Sequence, residues 1–230
     1  MRLPRVLFPG ALYHVFSRGN NKAAIFLDDA DRDAFLALLK EVKAEFDLRI
    51  YAWLLMDNHF HLVVETPGAD LGKAMQKLNQ TYTRRFNKRH LRTGHLLESR
   101  YKCRLVQKDR YLMSLIRYVH QVPVRAGAAA SAAEYVYSSH SQFASPRPGS
   151  LADWQEILPR FSDNLDRACL VYGEFMGQRS SDKEWTVLDR KRNGVLGDTA
   201  FRRSLPRPSS RKREEGASRL ATSIKEEAVQ

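Results

Sequence analysis

The chain has 230 residues, of which 43% are hydrophobic and 28% charged, and its formal net charge is +12. This length accommodates one sizeable core with a small appendage, and no apolar run approaches the roughly 20 residues that span a bilayer, so an integral membrane protein is excluded. The large basic excess favours a polyanionic partner, either nucleic acid or an anionic membrane surface.

The first 125 residues show a regular series of secondary-structure patterns. Apolar–polar alternation predicts strands, apolar residues at helical spacing predict helices, and Gly, Pro and Asn mark the turns. In chain order we predict a strand at 11–18, a helix at 31–46 capped by Asp28 or Asp29, a hairpin of strands at 48–56 and 59–65, a helix at 71–90, a strand within 92–107, and a helix at 108–122 that ends at Pro123. The first six elements form the split βαβ arrangement. We therefore expect an α+β fold with a ferredoxin-like βαββαβ antiparallel sheet and helices on one face.

The sequence changes character after about residue 127. A small-residue stretch, AGAAASAAEY, and a turn-forming SPRPGS precede two short amphipathic patterns at 151–161 and 164–178. These predict a helical extension packed on the main domain. Residues 206–230 have no hydrophobic stripe, which is typical of a disordered tail. The expected organisation is a main domain at 1–140, the extension at 141–205 and a mixed-charge tail at 206–230.

Positive charge is concentrated in the middle of the chain. Between residues 73 and 110, twelve Lys and Arg residues are opposed by only two acidic ones, so this window carries +10 of the net +12. A charge run is often only a solvated helix face. Here acidic residues are nearly absent, and Tyr82, Phe86 and Tyr101 are interleaved with the basic ones, which favours nucleic-acid binding.

The N-terminal stretch and the cysteines indicate the compartment. MRLPRVLFPGALYHVF contains two arginines but no long apolar region, so we expect no cleaved signal peptide. Cys103 and Cys169 are far apart and lack metal-type spacing, which is typical of a reducing cytoplasm. A cytoplasmic, nucleoid-associated protein is the expectation.

Two histidines lie two residues apart in DNHFHLVVE, residues 57–65. Alternate strand residues point to one face, so His59 and His61 project together and Phe60 projects to the opposite side. Two imidazoles about 6 to 7 Å apart along a strand can bind one cation. The alternative is a pair of polar residues on a solvated strand, and the motif alone does not decide between them.

The helix at 108–122 carries Tyr111 and Tyr118, seven residues apart and so on nearly the same face. A tyrosine on such a face is usually a core residue with its hydroxyl at the rim. The other interpretation is a nucleophile, which needs a neighbouring cation or base because the pKa of a free phenol is near 10. A metal ion that polarises a phosphate oxygen beside it would complete a phosphoryl-transfer site. The histidines, a tyrosine and the basic window together suggest DNA strand breakage through a covalent tyrosine.

Four blocks of the sequence resemble the single-tyrosine HUH transposases, and most closely their REP-associated tyrosine transposase branch. The blocks are GALYHVFSRGNNKAAIFLDDADRDAFL, YAWLLMDNHFHLVVETP, RRFNKRHLRTGHLLESRYK and YLMSLIRYVHQVPVRAG, in the family's order and spacing across residues 8 to 140. A weaker likeness continues through GVLGDTAFRRSL. The resemblance implies the same ferredoxin-like sheet and a DNA strand transferase.

The resemblance also assigns roles to the motif residues. His59 and His61 would hold a divalent ion, Mg or Mn, and imidazole suits Mn at least as well as Mg. Tyr118 would attack a phosphodiester of single-stranded DNA, which forms a 5′-phosphotyrosine and releases a 3′-hydroxyl. The implied partner is single-stranded DNA with hairpin-forming palindromic repeats, and the implied state is a monomer, with a dimer as the alternative.

One position departs from the family pattern. Four residues after the tyrosine the family usually has an Asn or Gln that completes the metal site, and here the residue is Val122, which cannot ligate a metal. Gln121 or His120 could substitute if the helix end is distorted ahead of Pro123, although Gln121 lies about 100° around the helix from Val122. Otherwise the site has two histidines and an additional water.

Further residues are expected to contact DNA, mainly at phosphates, where contacts position the strand without reading its sequence. They lie in the loop after the first strand, on the second helix, on the strand within 92–107 and at the end of the tyrosine helix. These residues are Arg18, Asn20, Arg84, Arg85, Lys88, Arg89, Arg100, Lys102, Arg104 and Arg125.

Three functions remain open from the sequence. The first is a transposase-like nuclease that cuts and rejoins single-stranded DNA near hairpin-forming repeats. The second is a non-catalytic protein that binds hairpin DNA or RNA with a degenerate metal site. The third, a metal hydrolase acting on a small molecule, would need a further cluster of carboxylates or histidines, and the sequence has no strong one.

Overall fold

The computed structural model describes residues 6–68, 70–178, 180–189 and 194–206. Its centre is a five-stranded sheet in the order β2-β3-β1-β4-β5. The strands are β1 (Ala11–Arg18), β2 (Arg49–Met56), β3 (His59–Thr66), β4 (Lys102–Val106) and β5 (Gly194–Leu196). The first four pair in antiparallel fashion, which is the predicted ferredoxin-like arrangement.

The helices form a layer on each side of this sheet. They are α1 (Asp29–Glu45), α2 (Leu71–Arg89), α3 (Lys108–Arg125), α4 (His140–Ala144), α5 (Leu165–Gly177), α6 (Asp182–Leu188) and α7 (Thr199–Ser204). The Asp28 carboxylate accepts a hydrogen bond from the Asp31 amide, so Asp28 caps α1 as one of the two predicted caps.

Phe60 shows how the two faces of β3 differ. Its ring lies 4.8 Å from that of Phe35 on α1, and Phe35 packs edge to face on Tyr82 of α2 at 5.0 Å. Phe26 and Phe86 complete this aromatic cluster, in which every ring is at most 2% exposed. The neighbours of Phe60 in sequence, His59 and His61, therefore point to the opposite face, where α3 packs on β2 and β3.

The two helices of the βαββαβ unit, α1 and α2, lie on one face of the sheet as predicted, and α3 with α4 and α5 packs on the other face. The structure differs from the sequence expectation in two places. The helix α3 continues past Pro123 to Arg125, and the amides of Ala126 and Gly127 still donate back to the carbonyls of Val122 and Val124. The stretch 151–161 forms two short 3₁₀ turns in place of one amphipathic helix.

The extension returns to the sheet after α6. Strand β5 adds to the edge beside β4 and runs parallel to it, with Arg104 opposite Gly194, so the complete sheet is mixed. Most of the predicted tail, 207–230, lies outside the described residues, and the predicted boundary at residue 140 stays a prediction. In the described part of the chain, no helix has both the length and the apolar character needed to cross a membrane.

Candidate functional site

The histidine pair, His59 and His61, lies on the α3 side of β3, with ring centroids 5.2 Å apart. His61 is only 4% exposed, which rules out a solvated strand as the reason for this residue. The Nδ1 atom of His59 is 2.7 Å from Oδ1 of Asn58, and the Nδ1 atom of His61 is 2.9 Å from Nε2 of His14. The Nδ1 atom of each ring therefore lies in a hydrogen bond, to Asn58 for His59 and to His14 for His61.

His14 is a third imidazole at this site that the sequence interpretation missed. It lies on β1, opposite Val63 of β3, and is 2% exposed. Burial and the nearby Arg104 guanidinium lower the pKa of His14 to about 3, so the ring is neutral near pH 7. The alternation of β1 could have indicated its face, but the neighbour on that face depends on which strand pairs with β1.

Tyr118 is the tyrosine of α3 that meets the histidines. Its ring centroid lies 5.7 Å from that of His14 and 6.1 Å from that of His61, in edge-on geometry. The hydroxyl donates a hydrogen bond to Oδ1 of Asp189 at 2.7 Å, and the side chain is 1% exposed. Burial, followed by the Asp189 carboxylate, raises the pKa of Tyr118 well above its usual value. In this conformation the hydroxyl is a neutral phenol.

A short stretch of the extension, Asp182–Asp189, lies over Tyr118 and is called the covering segment below. Its Trp185 ring is 4.6 Å from that of Tyr118. Three arginines anchor it to the domain through ion pairs, backbone carbonyls and a cation–π contact. The pairs are Arg117 with Glu184 at 3.0 Å, Arg125 with Asp182 at 2.8 Å and with the Trp185 ring at 4.4 Å, and Arg104 with the carbonyls of Val187 and Leu188 at 3.0 and 2.9 Å.

The residues considered as a third ligand face the extension. The amide nitrogen of Gln121 donates to the carbonyls of Met176 and Gln178 at 2.8 and 3.0 Å. His120 is fully buried and hydrogen-bonds to Ser139 and Tyr172. Gln121 and His120 therefore both face the extension and not the histidine pair.

Among the described residues, no group of three or more His, Cys, Asp or Glu side chains is arranged to hold a metal ion. The histidine pair supplies two imidazole donors, and a divalent ion there would take its remaining ligands from water and a substrate phosphate, which are the oxygen donors that Mn²⁺ and Mg²⁺ prefer.

Three of the predicted DNA-binding residues, Asn20, Arg84 and Arg100, line one groove of about 1080 Å³ between α2 and the loop before β4. This surface is called the α2 groove. Amide and hydroxyl side chains of α2, including Gln76, Asn79, Gln80 and Thr83, line it as well. The groove begins close to the histidine pair, because Arg18, two residues before Asn20, pairs with His59 across the strands.

The other predicted DNA-binding residues have different surroundings. Arg89 is held by Asp28 and Asp31 at 2.7 and 2.5 Å, Arg104 is 5% exposed, and Arg125 binds the covering segment. Lys102 pairs with Glu98, and Arg85 lies 3.9 Å from Glu41. Lys88 is exposed near the end of α2. The basic window of the sequence is thus divided between the groove, ion pairs within the domain and the contact with the extension.

Residues 8–122, half of the chain, match the protein family described as IS200-like transposases. The chain belongs to the IS200-like transposase family. Its members are transposases, so the chain is a transposase-type DNA-binding protein. No curated protein matches it.

Two solved structures are similar to this transposase-family chain. One is a REP-associated tyrosine transposase bound to a REP hairpin, with 13% identity and a TM-score of 0.56 over 66% of this chain and 94% of that one. The other is a protein of Deinococcus radiodurans R1 assigned as a candidate transposase, with 20% identity and a TM-score of 0.38 over 50% of this chain and 93% of that one. The first supports the fold that the sequence predicted.

Proposed function

We propose that this transposase cuts and rejoins single-stranded DNA near hairpin-forming repeats, with Tyr118 as nucleophile and the histidine pair as the metal ligands. The observation that carries the proposal is the convergence of Tyr118 with the histidines on the α3 side of the sheet, 6.1 Å from the His61 ring. A tyrosine that served only the core would not require two imidazoles beside it.

The proposed chemistry is a transesterification. The Tyr118 oxygen forms a bond to phosphorus as the bond to the 3′ oxygen breaks, which leaves a 5′-phosphotyrosine and a 3′-hydroxyl. The phenol loses its proton and the leaving 3′ oxygen gains one, so the step is balanced. A divalent ion held by His59 and His61 would polarise the phosphate oxygen. Because Asp189 holds the Tyr118 hydroxyl in this conformation, the covering segment has to move before DNA can reach the nucleophile.

The α2 groove is the proposed path of the DNA. Its two arginines suit phosphates, and its amide and hydroxyl side chains suit base edges. The structurally similar REP-associated transposase is bound to a REP hairpin, which supports a hairpin partner for this chain too. The alternative, hairpin binding without cleavage, is favoured by the covered state of Tyr118 and is decided by the experiment below.

The test is formation of a covalent adduct. Purified protein is incubated with labelled single-stranded DNA that carries hairpin repeats from its genome, with Mn²⁺, and the products are separated under denaturing conditions. We expect an adduct with the wild type, and none with Tyr118→Phe or with a chelator, because only the Tyr118 oxygen can form the phosphotyrosine bond. Tyr111→Phe, on the same helix, is the matched control and should form the adduct. An equal adduct yield from Tyr118→Phe would refute the assigned nucleophile.

A second prediction concerns the α2 groove. Replacing Arg84 and Arg100 by Ala should weaken hairpin binding and reduce the slope of log K against log[salt] by roughly 1.5, since each phosphate contact contributes about 0.7 to 0.9. Fluorescence anisotropy over a range of salt concentrations measures this slope. The control replaces two exposed arginines of the extension, Arg160 and Arg167, and should leave it unchanged. If both double variants behave alike, the phosphates follow another path.

A further inference from the structure

The two hydrogen bonds at the Nδ1 atoms of the histidine pair have a consequence for metal binding. We propose that Asn58 and His14 are positioning residues that make Nε2 the ligating nitrogen of His59 and His61, respectively. The inference rests on the proposed function, because it takes the histidine pair as the ligands. A neutral imidazole has one N–H and one lone pair, so a ring that ligates through Nε2 carries its proton on Nδ1 and needs an acceptor there.

Asn58 provides that acceptor for His59. Its amide nitrogen donates to the carbonyl of Lys22 at 3.0 Å, which places the amide oxygen toward His59. An amide oxygen only accepts, so the 2.7 Å contact requires the proton on Nδ1 of His59. The backbone of Asn58 is fixed as well, because its carbonyl accepts from the Gly19 amide at 2.8 Å. The tautomer of His59 is thus determined before any metal binds.

His14 provides the acceptor for His61, and here both partners are imidazoles that can donate or accept. The two ring planes are within 19° of parallel, their centroids are 5.1 Å apart, and Nε2 of His14 lies 2.9 Å from Nδ1 of His61. Either nitrogen can carry the shared proton. Only the arrangement with the proton on His61 leaves His61 able to ligate through Nε2, and it requires His14 to carry its own proton on Nδ1. That atom is buried and has no hydrogen-bond partner among the described residues.

Strand pairing explains why His14 can serve this role. Phe16 of β1 lies directly opposite His61, and His14 lies opposite Val63, so His14 is the diagonal neighbour of His61 on the same face. It follows that an acceptor at position 14 favours the ligating form of His61. Glutamine offers an acceptor in its amide oxygen, and leucine, of similar size, has none.

The experiment measures Mn²⁺ binding to the full chain without DNA, by the electron paramagnetic resonance signal of free Mn²⁺. We expect His14→Leu to weaken binding roughly 10- to 100-fold, the usual cost of losing such a partner, and His14→Gln, which keeps an acceptor, to bind within a fewfold of the wild type. Asn58→Ala should weaken binding similarly, and Asn58→Asp, which keeps an acceptor, should bind within a fewfold of the wild type. The exposed His95, changed to Leu and Gln, is the control.

The outcomes separate the two proposals. If His61→Ala binds Mn²⁺ as well as the wild type does, the histidine pair is not the metal site and the proposed function loses its metal. If His61→Ala abolishes binding and His14→Leu does not weaken it, or if His14→Leu and His14→Gln weaken it equally, only the positioning role is overturned.

A measurement on the wild type needs no substitution. Long-range ¹H–¹⁵N correlations of histidine side chains report which nitrogen carries the proton. The expected result is the Nδ1–H form of His59 in the metal-free protein, and the Nδ1–H form of His61 once a diamagnetic ion such as Zn²⁺ is added. Observation of the Nε2–H form of His59 without metal would overturn the role of Asn58, whatever the stability of the variants.

Discussion

Replacing Trp185 and Asp189 by Ala is expected to raise the initial rate of Tyr118 adduct formation by roughly 10- to 100-fold. The two side chains are the parts of the covering segment that touch the tyrosine, one by ring packing at 4.6 Å and the other by the hydrogen bond at 2.7 Å. Losing both should weaken the closed state by about 1.5 to 3 kcal/mol. A reaction that proceeds only from the open state accelerates in proportion to the population of that state.

The double variant should still populate the closed state in part, because other contacts continue to hold the covering segment. Arg117, Arg125 and Arg104 still bind the covering segment in the double variant. One of these contacts, Arg125 with Asp182, is an ion pair at the protein surface, which contributes little and weakens with salt. Higher ionic strength also weakens DNA binding, so the experiment uses saturating DNA. Under that condition, higher ionic strength should speed adduct formation in the wild type, because it weakens the contact that holds the covering segment.

The matched control for the covering segment is Trp154→Ala. Trp154 is a half-buried tryptophan of the same extension, but it belongs to a 3₁₀ turn outside the covering segment, and its indole N–H donates to the Arg147 carbonyl. Its replacement should leave the rate within about twofold of the wild type. A lower rate in the Trp185 and Asp189 double variant would show that these residues assist the reaction and do not block it.

The second large effect is on stability. Phe35→Ala is expected to lower the free energy of unfolding by about 3 to 5 kcal/mol. The substitution removes a fully buried ring of α1 that packs against β3 and α2. Urea denaturation followed by circular dichroism measures the change. Leu170→Ala, at a 70% exposed position on α5, should change stability by less than about 0.5 kcal/mol. Similar losses in the two variants would contradict the position of the core.

Much of the fold was predictable because its signals are local. The alternation in β1 and β3, the cap at Asp28 and the apolar stripes of α1 and α2 each involve residues within a few positions of one another. The same local rule placed His59 and His61 on one face and Phe60 on the other. Pro123 misled the interpretation, because helical hydrogen bonding continues beyond it, from the Ala126 amide to the Val122 carbonyl.

The sequence alone thus determined the strands and helices of the main domain, the shared face of the histidines and the candidate tyrosine, since periodicity and turn chemistry act over short separations. The tertiary structure decided that His14 meets His61, that the basic window divides between a groove and internal ion pairs, and that Asp189 holds the hydroxyl of Tyr118, 71 residues away. Those contacts depend on strand order and on the packing of the extension, which no local pattern encodes. The physical reason is that register and docking are set by the whole buried surface and not by neighbouring residues.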